Sequence, residues 1–170
     1  MNPSRRTFLV TGGLGLAALA AGGWLHLRTG GGSADGALGV HGRTVIAAMV
    51  PAFLDGALPE GPARTTAIAE TLDAVDTAVA GLPPATQAEL AQLFGLLTFA
   101  PARLVLSGLP VDWPRATPDA VAAALARWQH SRLSLLRSAY DGLHQLVLAA
   151  WYGNPRAWAA IGYPGPPPLQ

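Results

Sequence analysis

Residues 63–81 read ARTTAIAETLDAVDTAVAG, and this stretch decides the class of fold. Its large apolar residues recur at spacings of four, three and four, as Ile68, Leu72, Val75 and Val79. That period places them on one face of an α-helix and places Glu70, Asp73 and Thr77 on the opposite face. Gly81 follows at once and marks the expected end of the helix. We therefore predict an amphipathic helix that buries one face.

The segments on either side keep the helical period, and none shows the alternation expected of a half-buried strand. Upstream, residues 43–54 place an apolar face along a helix that Pro51 should kink or end. Downstream, Pro84 and Thr117-Pro118-Asp119 are typical helix starts. A last long pattern covers residues 132–151. These patterns predict an all-α fold, an irregular bundle of about five helices after an N-terminal export or anchor segment.

Three of the downstream helices have apolar stripes that we expect to face the core. The inward residues are Leu90, Leu93, Phe94 and Leu97, then Val121, Leu125 and Trp128, then Leu133, Leu136, Tyr140, Leu143 and Val147. Thr86-Gln87-Ala88-Glu89 fits a capping box at the start of the first. Ser131 caps the last helix if that helix is separate from the one before it.

The N-terminus has the pattern of an export signal. It reads Ser4-Arg5-Arg6-Thr7-Phe8-Leu9, in which Ser4, Arg5, Arg6, Phe8 and Leu9 match the twin-arginine motif. No formal charge follows from residue 7 to residue 27, a length of 21 residues where a membrane span needs about 20. The motif predicts export by the twin-arginine translocon, with the folded domain on the periplasmic side of the inner membrane.

The fate of this leader has two interpretations. Ala18-Leu19-Ala20 resembles a cleavage site, whereas the apolar run continues through Trp24 to Leu27, which favours an uncleaved anchor. The predicted organisation is a twin-arginine signal or anchor at 1–28, a flexible Gly-rich linker at 29–42, and a helical domain at 43–170 that ends in an aromatic and Pro-rich tail.

The amino-acid composition excludes several classes of function. Without cysteine, the chain has no disulfide, thiolate nucleophile or Cys-ligated metal. Beyond residue 28 there remain eight arginines against ten acids, so no basic surface points to nucleic acid. Only 12% of residues are charged, while 51% are hydrophobic. A soluble domain this apolar is expected to cover part of its surface with a membrane or a partner.

The titratable residues do not suggest an active site. His130 and His144 are fourteen positions apart, about 21 Å along one helix, and cannot share a metal ion unless the chain folds back between them. The acids fall mostly on solvent faces or at helix starts. We therefore predict no catalytic residue, no metal and no cofactor in this chain.

The C-terminal segment is the most unusual part of the sequence. Four aromatic residues, Trp151, Tyr152, Trp158 and Tyr163, fall within 13 positions. Trp151 and Trp158 are expected to fold back on the bundle, whereas the stretch from Tyr163 to Pro168 suits a type II turn and an extended proline path that a partner could bind. The predicted partner-binding residues are Tyr152, Asn154, Pro155, Arg156, Trp158, Tyr163, Pro164 and Gly165.

These motifs resemble a known family. The segment Trp151-Tyr152-Gly153-Asn154-Pro155, the later Gly162-Tyr163-Pro164-Gly165 and the twin-arginine leader are similar to the small (gamma) subunit of membrane-associated FAD-dependent sugar and alcohol dehydrogenases, of the gluconate 2-dehydrogenase subunit 3 type. The likeness in layout covers nearly the whole chain, but only residues 151 to 166 are specific. Only residues 156–161 separate the two motifs, where the family often has a longer insertion.

The resemblance implies a non-catalytic accessory subunit. In that family a separate flavoprotein, commonly of the GMC type, holds FAD, and a cytochrome c subunit is a further partner. The catalytic subunit often lacks an export signal, which the small subunit supplies while it aids maturation or stability. A stand-alone, membrane-anchored periplasmic helical domain that binds a small ligand or an envelope protein is the alternative.

Overall fold

The computed structural model describes residues 36–160 and 162–164. The predicted export motif, the anchor at 7–27, the first half of the linker and Gly165 lie outside these ranges. In the described part of the chain there are seven α-helices, one 3₁₀ helix and no strand, which confirms the all-α irregular bundle. The helices are α1 (Gly39–Phe53), α2 (Ala63–Ala80), α3 (Pro84–Thr98), α4 (Ala100–Ser107), the 3₁₀ helix (Trp113–Arg115), α5 (Pro118–Gln129), α6 (Ser134–Tyr152) and α7 (Pro155–Ala160).

Helix α1 forms the centre of the bundle because its sequence contains one charged residue, Arg43, and two consecutive apolar pairs. Val45, Ile46, Met49 and Val50 are completely buried. The helix packs against α2, α3, α5, α6 and the 3₁₀ helix. Pro51 lies within its last turn, and the helix ends two residues later, as expected for a residue that interrupts the backbone hydrogen bonds.

Several helix limits follow from local sequence and agree with prediction. Helix α2 spans Ala63–Ala80 and stops at Gly81. At the start of α5 the Thr117 hydroxyl accepts a hydrogen bond from the Ala120 amide at 3.3 Å, and Pro118 occupies the first helical position. Helix α6 is separate from α5, but Ser131 does not cap it as predicted: the N-cap residue is Leu133, and the Ser131 hydroxyl accepts a hydrogen bond from the Leu133 amide at 3.1 Å, before the helix begins.

The predicted capping box of α3 is wrong. The helix begins at Pro84 because Pro83 holds an extended conformation and Pro84 has no amide hydrogen that needs a cap. Thr86 therefore lies inside the helix. The Gln87 amide instead donates to the carbonyl oxygens of Ala80 and Leu82, at 3.2 and 2.8 Å, and so ties α3 to the end of α2.

Two boundaries also move. The linker predicted at 29–42 is too long at its C-terminal end, since α1 already begins at Gly39 and Leu38 is buried, with its amide donating to Asp76 Oδ1 at 2.7 Å. Leu133, predicted to face the core, is exposed because it precedes the first residue of α6. Only residues within a helix keep the angular spacing that places an apolar stripe on one face, and Leu133 lies outside the helix.

The helix count exceeds the predicted five by two short helices. Pro101 occupies the second position of the first of them, α4, which is bent by 92° from α3. Helix α7 follows Gly153 within the segment predicted as a tail. In the described ranges no single helix has the length and hydropathy to span a membrane, and only the bent α3–α4 pair meets these criteria together.

Candidate interaction surface

The C-terminal segment is fastened to α2 by its polar residues. Arg156 forms a two-pronged ion pair with Glu70, with Nε–Oε2 and Nη2–Oε1 distances of 3.0 and 2.9 Å. Asn154 donates from Nδ2 to the same carboxylate at 3.2 Å, and its Oδ1 accepts from the Arg156 amide at 3.0 Å. Two residues predicted to bind a partner thus bind within the chain and orient α7, which begins at Pro155.

The aromatic residues of this segment divide into buried and exposed members. Trp151 is buried and Trp158 packs partly against the core, as predicted for both. The Trp158 indole donates to the carbonyl of Tyr152 at 2.7 Å, and the ring of Tyr163 meets that of Trp158 edge-on at 5.5 Å. Tyr152, Tyr163 and Pro164 remain exposed. Pro155 and Arg156 are exposed as well, so the tyrosines are the large aromatic members of a wider predicted surface that is open to a partner.

Removing the Glu70 carboxylate should release α7 locally. For Glu70→Ala we expect faster amide hydrogen exchange in residues 154–160, with the free energy of unfolding lowered by only about 0.5–1 kcal/mol, because the pair is half exposed. Asp73→Ala is the matched control, since it removes the neighbouring α2 ion pair with Arg43. Equal exchange in α7 for both variants would show that Glu70 does not hold this segment.

An apolar groove of about 420 Å³ lies between α3 and the first half of α6. Its lining is mostly aliphatic, with a single charged side chain, and comprises Leu82, Thr86, Glu89, Leu90, Leu93, Leu135, Ser138, Ala139, Gly142, Leu143 and Leu146. Leu135 stands at its rim and is 75% exposed. Gly142 leaves the groove open, because a Cβ atom built there would meet no atom within 4 Å.

The groove was not predicted, although its signals are in the sequence. Leu90, Leu93 and Leu143 were expected to be inward residues of a closed core, and only Leu143 is fully buried. A glycine in the middle of a long amphipathic helix is one such signal. Glycine weakens a helix, so its presence there indicates a need for close packing or free space. Leu135, the second residue of α6 and off the predicted stripe, is another.

Each of the histidines 41, 130 and 144 contacts other groups of the fold. His144 stacks on Tyr140 at 5.5 Å and meets Phe53 at 5.2 Å, while a ring nitrogen of His130 lies 2.9 Å from the carbonyl oxygen of Ala126 in its own helix. His41, predicted to lie in the linker, is in α1, with Nδ1 3.1 Å from Thr98 Oγ1. Within residues 36–160 and 162–164, no three His, Cys, Asp or Glu side chains come together as a metal site would require.

Comparison of the chain with protein-family models, with curated proteins and with solved structures gave no match. The class of protein that the fold and the surface define is accordingly a small helical domain with an open apolar groove and a fastened aromatic C-terminus.

Proposed function

We propose that this protein is the non-catalytic small subunit of a periplasmic FAD-dependent dehydrogenase of the GMC type that acts on sugars or alcohols. It supplies the twin-arginine signal at Ser4–Leu9 and aids maturation or stability of the catalytic subunit, which holds the FAD. Residues 7–27 anchor the complex at the inner membrane, and a cytochrome c subunit is a further partner. The family assignment rests on the resemblance of residues 151–166 and of the leader.

The groove between α3 and α6 is the observation that favours a subunit role. A folded domain this small gains stability by covering aliphatic side chains, yet Leu135 and the walls formed by Leu90 and Leu93 remain open. Such a groove suits an apolar segment, for example one helix face of a partner, laid between two parallel ridges. Glu89 supplies one negative charge at the lining and favours a partner segment with a basic residue beside its apolar anchors.

The exposed Tyr152 and Tyr163 extend the proposed partner surface. Tyrosine offers a large, stiff contact area with a polar tip, which is why it is common in protein interfaces. Glu70, Asn154 and Arg156 hold this segment in place before binding, so less conformational freedom is lost when the partner docks. In this proposal the predicted polar residues position the tyrosines and do not contact the partner themselves.

The second candidate is a stand-alone, membrane-anchored periplasmic helical domain. The size of the groove favours it, because about 420 Å³ is within the range of small-molecule pockets. The two candidates differ in gene neighbourhood. An adjacent gene for a large flavoprotein without its own export signal supports the subunit, whereas an apolar ligand that co-purifies with a chain running alone supports the binding domain.

Filling the groove tests the proposal without removing a stabilising contact. Gly142→Leu should place its side chain in open space and, by replacing a helical glycine, raise the free energy of unfolding by up to about 1 kcal/mol. We expect this variant to lose most of its capture of the flavoprotein from native membranes. Gln145→Leu, which puts the same side chain on the exposed face of α6, is the control and should capture normally.

The readout is flavin absorbance in the captured fraction, together with far-UV circular dichroism of each variant. Equal flavin capture by Gly142→Leu and Gln145→Leu would show that the groove is not part of the interface. Absence of flavin in the fraction captured with the unchanged chain would contradict the proposal that the chain is a dehydrogenase subunit.

A further inference from the structure

Helix α4 directs polar side chains toward the protein interior and aliphatic side chains toward solvent. Its inward side chains include Arg103 and Ser107, both buried, whereas Ala100, Pro101, Leu104 and Val105 face outward. Leu104 is 53% and Val105 81% exposed. An amphipathic helix of a soluble domain normally shows the reverse arrangement. The outward residues, called here the α4 face, therefore form an aliphatic surface without a charged or hydrogen-bonding side chain.

The inward polar groups have a structural role that fixes the direction of this face. Arg103 donates from Nη1 to the carbonyl of Thr98, the last residue of α3, at 3.2 Å and from Nε to the carbonyl of Leu109 at 3.4 Å. The Arg127 guanidinium donates to the carbonyl of Ser107 at the other end of α4, at 2.5 Å. Both arginines satisfy carbonyls at helix C-termini, where a positive charge is favourable. Rotating α4 to bury Leu104 and Val105 would break these contacts.

The start of α4 lies near the place where the chain enters the described domain. His41, in the first turn of α1, meets Thr98 at the end of α3, and α4 begins two residues later, at Ala100. Residues 28–35 join the proposed anchor to Gly36, which lies against Asp76 of α2, and span at most about 29 Å when fully extended. A compact domain of this size is about 35 Å across. The tether is thus shorter than the domain and holds this entry point close to the bilayer.

We infer that the α4 face contacts the lipid surface, so that α4 lies in the membrane interface while residues 7–27 span the bilayer. This inference rests on the anchor in the proposed function. Interfacial helices bury an aliphatic side by about 5–10 Å at the boundary of headgroups and acyl chains. Protein interfaces, in contrast, are rich in aromatic and arginine side chains, and the α4 face offers only Ala, Pro, Leu and Val. Its lack of charge fits zwitterionic lipid.

The experiment uses the full chain, which has no native cysteine, so single labels can be introduced. Val105→Cys and Leu104→Cys are each labelled with an environment-sensitive fluorophore and reconstituted into phosphatidylcholine vesicles with brominated acyl chains. Leu135→Cys and Leu133→Cys are the matched controls, because these leucines have similar exposure, 75% and 63%, and lie in the first turn of α6 and immediately before it. Circular dichroism checks that every labelled variant keeps its helix content.

We expect the labels at 104 and 105 to lose about half of their fluorescence to brominated lipid while those at 133 and 135 lose less than about a tenth, given the depth at which interfacial helices lie. Quenching no greater at 104 and 105 than at the control positions, in chains that float with the vesicles, overturns the inference and leaves the anchor intact. Chains that fail to float overturn both the anchor and the inference. The inference is also overturned if the label at 105 becomes shielded from solvent without lipid, to a degree that grows with protein concentration. That result would assign the α4 face to contact with a second copy of the chain. Flavoprotein capture is measured separately, so its failure is distinct from each of these results.

Discussion

Replacing Arg5 and Arg6 together by lysine is expected to leave both this chain and the proposed flavoprotein partner in the cytoplasm. Lysine keeps the positive charge, but the translocon reads the arginine pair as an address, so a charge-conserving change still removes the signal. We expect nearly complete loss of both proteins from the periplasmic and membrane fractions, measured by fractionation and immunoblotting. Dehydrogenase activity in the periplasm should fall in parallel.

The control for this experiment is Arg28→Lys, which makes the same chemical change at the far end of the predicted span. Export of both proteins should be normal in that variant. Continued export of the partner with the Arg5→Lys/Arg6→Lys chain would contradict the escort role, even if the small chain itself is retained. Loss of export in the Arg28→Lys variant as well would show that the effect is not specific to the motif.

Replacing Trp113 by alanine is expected to be the most destabilising of the single changes considered. The indole is fully buried against α1 and donates from Nε1 to the carbonyl of Leu97, in the last turn of α3, at 2.8 Å. Truncation creates a large cavity and leaves that carbonyl without its partner, which together cost about 4 kcal/mol. This is a large fraction of the ordinary stability of a small domain, about 5–15 kcal/mol.

Urea unfolding of the full chain in mild detergent, followed by circular dichroism, measures this effect. Trp158→Ala is the matched control, because Trp158 is only partly buried and also donates one hydrogen bond, to Tyr152; we expect a loss of about 1–2 kcal/mol there. Trp113→Phe keeps most of the apolar volume and isolates the hydrogen bond, with an expected loss of about 1–2 kcal/mol. Equal losses for the two alanine variants would contradict the central position of Trp113.

The helices that could be predicted from the sequence are those with strong local signals. The limits of α2 follow from its period and from Gly81, and the start of α5 follows from Thr117 and Pro118. The start of α3 at Pro84 also follows from its prolines, whereas the capping box predicted at Thr86 was wrong. The prolines determine the start because they restrict the backbone directly, whereas the box only adds hydrogen bonds.

The surface features could not be predicted because they depend on contacts between distant residues. Arg103 reads as a solvent-exposed arginine until the bend between α3 and α4 brings the Thr98 carbonyl within its reach. Trp113 belongs to none of the predicted apolar stripes, and its burial results from the neighbouring α1 and α3. Arg156 looked like an interface anchor, and only the tertiary fold places Glu70, 86 residues earlier, beside it.

The C-terminal segment combines residues of two kinds. Its composition predicted a partner-binding surface, and for the exposed Tyr152 and Tyr163 this stays a prediction. The separation into positioning residues and exposed residues required the contacts of Asn154, Arg156 and Trp158. A future comparison of partner binding should therefore treat Arg156→Ala as a change in the orientation of α7 and Tyr163→Ala as a direct loss of contact area.

The most direct test of the central claim is to capture the tagged, unchanged chain from native membranes and to record the absorbance spectrum of the eluate. We expect a large yellow partner at a ratio near one to one, with the spectrum of bound flavin. A colourless chain that elutes alone would contradict the proposed role as the small subunit of a flavoprotein dehydrogenase.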